Sequence, residues 1–132
     1  WAEFEAQGRL RRLLKGDFDD PLAGSVRLAS QDEVVDVVLG RYDWQREIVD
    51  SSPPNLLGDV RVPVASPSGL VLLKLYAGGP KDAWDIRSLL EVADDAETLV
   101  REVEALLPRL PADAQPQRSR LRSEAREPRR SG

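Results

Sequence analysis

Asp36, Lys74, Asp82 and Asp85 are the side chains with which this chain could do chemistry. Asp36 interrupts the run Val34-Val35-Asp36-Val37-Val38, where a buried carboxylate lacking a partner would cost on the order of several kcal/mol. It needs a cation. That cation is either an arginine across a sheet edge, Arg27 or Arg61, or a metal ion held by a rigid strand as two-metal phosphoryl chemistry requires. Lys74 is the one charge between Leu70 and Ala77. Its ammonium either snorkels out of an apolar helix or faces a cleft, where a point charge suits a triphosphate. Asp82 and Asp85 follow one turn apart, bordering the face that holds Ile86 and Leu89. They are placed for capping by Asp82, and for salt bridges to Lys74 or Lys81 by either.

The missing residue types narrow the chemistry further. The 132 residues include no cysteine and no histidine, so disulfides, thiolate metal sites, zinc catalysis and a Ser/His triad are excluded from within this chain. Carboxylates and amines remain. No run approaches the roughly 20 apolar residues that cross a bilayer, and residues 1–14 carry charge throughout, so we expect a cytoplasmic protein with no membrane partner. The sequence opens on Trp1 and contains no methionine, the expectation being a fragment or a processed piece. Residues 1–110 hold 13 basic against 20 acidic side chains, whereas 111–132 hold 6 against 3. The acidic excess is either a solvated face or a site that collects divalent cations.

The elements that must position these groups are legible from pattern. Phe4, Leu10, Leu13 and Leu14 suggest a helix or a helix-to-strand passage broken at Gly8, and residues 16–21 read as a turn. Residues 25–29 alternate as a half-buried strand; residues 34–39 read as a strand buried on both faces, closed by Gly40 and paired with the first as a hairpin. Asp43 can cap a helix over 44–49, residues 51–58 read as a loop, and Pro63 makes 60–64 a short or edge strand. Ser66-Pro67 starts a buried helix over 70–77 that Gly78-Gly79 ends. Pro80 opens the next, and Asp94 with Glu97 resembles a capping box for a third helix, with its stripe at Leu99, Val100, Val103, Leu106 and Leu107, stopped by Pro108 and Pro111. One domain over 1–110 and a disordered basic tail over 111–132 complete the expectation. The tail's arginines have no interleaved aromatics, which favours a solubilising role over nucleic-acid binding.

The order of these features resembles a known family. Val62-Pro63-Val64, the Ser66-Pro67 start, a greasy helix with the single Lys74, and Lys81-Asp82 followed by Asp85 are similar to the C-terminal signature of the nucleotidyltransferase-fold superfamily, in the branch of AbiEii-type toxins and minimal nucleotidyltransferases. Asp20-Pro21-Leu22-Ala23-Gly24 leading to Val35-Asp36-Val37 also resembles that family, and the likeness spans about residues 18–92. It implies an α+β, incomplete polymerase-β-like fold, a short mixed sheet packed on helices. The family's Gly-Ser helix start followed by a D-x-D strand, which together bind the triphosphate and both magnesium ions, is not in this sequence, and Asp17, Asp19 and Asp20 do not replace it because they read as part of a turn with no Gly-Ser start before them.

The resemblance implies Mg2+-dependent transfer of NMP from an NTP such as ATP to an acceptor hydroxyl, on a protein, a tRNA or a small molecule. Asp36 would complete the metal site or act as base, Lys74 would meet the phosphates or an acidic neighbour, and Asp82 and Asp85 would order the lysine. Such catalysis is positioning plus charge neutralisation. The fragment itself is expected to be inactive. The competing expectation is a non-catalytic member of the fold acting as a scaffold or toxin–antitoxin partner, with a cognate antitoxin as its counterpart.

Overall fold

Leu10–Lys15 (β1), Leu22–Ala29 (β2) and Val34–Gly40 (β3) form an antiparallel meander in the order β1-β2-β3. These coordinates are a computed structural model that describes residues 1–17 and 22–112. A short helix, Ala2–Ala6 (α1), precedes the meander, and Gly8, at φ 65°, makes the left-handed turn into β1. The side chains of β2 alternate as a one-sided strand should: Gly24, Val26 and Leu28 are buried, with Ser25 and Arg27 on the opposite face. Trp1–Asp43 is the first of two compact units; the second begins at Trp44.

Gly24 is required by its neighbour. A Cβ there would lie 2.6 Å from the Leu14 carbonyl oxygen on β1, a backbone atom that moves only if the strands part. Gly24→Ala should therefore cost about 1–3 kcal/mol and lower Tm by several degrees in a thermal melt. An unchanged Tm would mean that β1 leaves β2 without penalty.

The second unit is a helical assembly with a small ribbon. Asp43–Asp50 (α2) is followed by Pro54–Leu57 (β4) and Val60–Pro63 (β5), an antiparallel pair turning at Gly58, φ 60°. Pro67–Ala77 (α3), Pro80–Val92 (α4) and Ala96–Leu106 (α5) come next, and a 3-10 turn at Leu107–Arg109 closes the described chain. The core gathers Trp44 and Ile48 of α2, Val71, Leu72 and Leu75 of α3, Ile86 and Leu90 of α4, and Leu99 and Val103 of α5. Trp44 meets Tyr76 edge-on, centroids 5.2 Å apart, a favoured aromatic geometry. No helix among the described residues is long and apolar enough to cross a membrane.

The α+β class holds, and four expectations are corrected. Every strand pairing among the described residues is antiparallel, in two separate sheets, so the sheet is not mixed. β3 is an edge strand exposed along nearly its whole length rather than buried on both faces: among the described residues one side has no neighbouring strand, and Val34, Val35 and Val38 all lie more than half open. Residues 54–57, read as loop, form β4, since Pro54 opens the strand opposite Pro63 and neither position needs an amide donor there. The cap of α5 is Asp95 and not Asp94: Asp95 keeps extended backbone and accepts from the Thr98 N–H at 3.0 Å. The expected tail lies, from residue 113 onward, outside the described residues, as do residues 18–21 of the expected turn.

Candidate functional site

The groups expected to act fall in both units. Asp36 lies on β3 of the first, opposite Arg27 on β2 in the strand register. Their side chains form a bidentate pair, Nε to Oδ1 at 2.7 Å and Nη2 to Oδ2 at 2.7 Å, each about half exposed. The hydrogen bond to Asp36 and its negative charge raise the Arg27 pKa. Of the two arginines considered for Asp36, Arg27 is the one that the hairpin register brings to it; Arg61 lies on β5.

Lys74, Asp82 and Asp85 come together in the second unit. The Ser66 hydroxyl accepts the Gly69 N–H at 3.1 Å, Pro67 occupies the first turn, and α3 runs on with Val71, Leu72 and Leu75 fully buried. Gly78, at φ 71°, ends it by donating its N–H to the Lys74 carbonyl. Gly79 then caps α4, its N–H donating to Asp82 Oδ2 at 3.0 Å. This tight reversal lays the last turn of α3 against the first turns of α4. Lys74 Nζ lies 2.5 Å from Asp85 Oδ2 and 3.5 Å from Asp82 Oδ1, with all three side chains only 20–24% exposed.

Asp82 therefore divides its oxygens between two tasks. One satisfies an orphan amide at the start of α4, where a carboxylate also complements the helix dipole; the other faces the ammonium. Both structural roles foreseen for it are present. The cluster sets two carboxylates against one ammonium.

A cleft of about 310 Å³, open to solvent and lined mainly by apolar groups, borders this cluster. Its walls are Leu70 and Lys74 of α3 with Asp85, Ser88, Leu89 and Val92 of α4. Sequence reasoning assigned Leu70 and Leu89 to packing and missed Ser88 and Val92. Their spacing from Asp85 by three and seven residues was the available signal, since it puts all of them on one face of α4.

Magnesium does not fit the described residues by themselves. Arg27 engages both oxygens of Asp36, and no group of three or more acidic side chains converges among the described residues. What the second unit offers is a fixed, mostly covered ammonium at the edge of an apolar cleft. No family model and no curated protein matches this chain.

Proposed function

We propose that this chain is the C-terminal part of a nucleotidyltransferase-fold protein, supplying the lysine-centred half of a site for moving NMP from an NTP to an acceptor hydroxyl. The observation that carries this reading is the Lys74–Asp85–Asp82 cluster, in which a lysine on an otherwise apolar helix is held at 2.5 Å and 3.5 Å by carboxylates from the next helix. A lysine ordered in this way loses little side-chain entropy when a phosphate arrives, and its ammonium supplies a point charge. Asp82 and Asp85 are positioning residues, and the cleft beside them offers an apolar wall to a base or an acceptor.

The metal carboxylates of such a reaction would come from a D-x-D strand that follows a Gly-Ser helix start; here Asp17-Phe18-Asp19 has no Gly-Ser before it, and Gly24-Ser25 comes after it. The 132 residues alone are therefore inactive on this reading. Incubation with labelled ATP and Mg2+ should give no transfer to protein or RNA, whereas a form carrying Gly-Ser and D-x-D ahead of these residues should transfer and lose at least about 100-fold in kcat/KM on Lys74→Met, about 2.7 kcal/mol at the transition state. Transfer by the 132 residues alone would refute the assignment, and so would an extended form that is indifferent to Lys74.

One observation favours a second reading, a non-catalytic member of the fold that serves as a scaffold or toxin–antitoxin partner. The Asp36 carboxylate is matched by Arg27 in a bidentate pair, the arrangement of a structural aspartate. A natural upstream sequence without D-x-D would select it.

A further inference from the structure

We infer that β3 pairs edge to edge with β3 of a second copy of this chain, antiparallel about a two-fold axis through Val37, joining two meanders into one six-stranded sheet. The two edges of the meander differ. β1, at one edge, is exposed from Arg11 to Lys15 and carries three cations, Arg11, Arg12 and Lys15. It also holds an extra residue: the register passes from Leu10 opposite Leu28 directly to Arg12 opposite Arg27, leaving Arg11 as a bulge. Cationic side chains and bulges are the devices by which an edge strand turns away another strand. β3 has neither. Its own residues run without an insertion against β2, and Asp36 is its one charge. Arg27, across on β2, engages both oxygens of that carboxylate, so the charge is committed toward the inside of the sheet.

The open groups on β3 suit an added strand better than a partner lying on one face. Val35 and Leu39 share the face of Val26 and Leu28, whereas Val34 and Val38 lie on the opposite face with Asp36. Val34, Val35 and Val38 are each more than half open, and Leu39 is 37% exposed. A partner on one face would cover one set alone; a strand at the edge flanks both. The strand whose chemistry matches is β3 itself. Two-fold symmetry keeps each face of the sheet on its own side, which centres the pairing on a residue. Centred on Val37, it aligns all seven residues of β3, with Val34, Val35 and Asp36 opposite Gly40, Leu39 and Val38 of the second copy. Centring on Asp36 would set two carboxylates directly opposite, an unfavourable pair. The assembly then stops at two copies, because both outer edges of the joined sheet are β1, with its cations and bulge. Residues 113–132, with six arginines and no β-branched residue, are a poor strand for the same edge. This inference does not rest on the proposed nucleotide transfer.

Sedimentation equilibrium of the full chain over a range of concentrations should show monomer and dimer with Kd on the order of micromolar, as suits an interface burying less than about 1,200 Å². Val35→Lys sets an ammonium against the second copy's Leu39 and should weaken dimerisation at least about 30-fold. Register is read by cysteine, since the sequence has none of its own. In Val37→Cys the axis sets the two thiols opposite each other, so mild oxidation should give a disulfide-linked dimer in high yield. Val35→Cys, whose two thiols lie four residues apart along the strands, should link poorly. A chain that stays monomeric at every concentration would leave the edge to another polypeptide and overturn the inference. A dimer indifferent to Val35→Lys, a series of ever larger oligomers, or equal linking of the two cysteine variants would do the same. Should Val35→Lys fail to fold by circular dichroism, the comparison of the two cysteine variants decides.

Discussion

Replacing Leu72 by alanine is expected to remove about 3–4 kcal/mol of stability from the helical unit, the largest effect of any single truncation proposed here. Leu72 is fully buried in the middle of α3, and Val71 and Leu75 are equally covered. Leu72 lies on the covered side of α3, opposite the Leu70 and Lys74 positions that border the open cleft, so the lost methyl groups leave a cavity rather than a collapsed surface. Leu73, only partly buried, is the control, and Leu73→Ala should cost about 1–2 kcal/mol. Urea unfolding followed by tryptophan emission would measure both, with Trp44 reporting from inside this core. Equal costs at the two positions would mean that α3 is rotated about its axis relative to the packing described.

Lys74→Met should cost about 2–3 kcal/mol, because it strips the cation from two carboxylates that are themselves mostly covered. The loss is a stranding penalty more than the worth of the bond. Lys74→Met combined with Asp85→Leu should therefore recover at least half of it, since no uncompensated charge then remains beside Lys74's position except Asp82, whose other oxygen is anchored by Gly79. Asp82→Asn should be milder, because the amide oxygen retains the contact with Gly79. A double-mutant cycle by denaturant unfolding gives the coupling directly, expected near 2 kcal/mol for Lys74 with Asp85 and well below 1 kcal/mol for Lys74 with Asp82 at 3.5 Å. Failure of the double variant to recover stability would show that the aliphatic stem of Lys74, and not its charge, supports the helix pair.

The features that sequence made legible were those set by local chemistry. Ser66-Pro67 and Gly78-Gly79 mark helix ends through the hydrogen bonds and dihedral angles their residue types permit, and both ends fall where these rules place them. Lys74 and Asp85, eleven residues apart, meet because the Gly-Gly reversal folds one helix back on the next. Arg27 and Asp36 meet because the hairpin centred near Gln31-Asp32 pairs residues equidistant from its turn. The misses depended on neighbours. A run of valines reads alike whether the faces of a strand are covered or open, so the sequence pattern of β3 does not show that its position at the sheet edge leaves it exposed. Asp94 and Asp95 are indistinguishable as caps until the backbone shows which one leaves the helix. At Asp95 the Thr98 hydroxyl and N–H both donate to the carboxylate and hold its pKa below the usual aspartate range. The bulge at Arg11 is a register property with no signature in a single strand.

Within each unit, hydrogen-bonded strands are consecutive in the chain: β1 with β2, β2 with β3, and β4 with β5, while α3 packs both on α4, its successor, and on α5, which follows α4. The strand partners meet through short connections, and α5 reaches α3 across the single intervening helix α4. Closing such loops takes on the order of tens of nanoseconds and zipping a hairpin a few microseconds, so acquisition of structure should be complete within about milliseconds of dilution from denaturant.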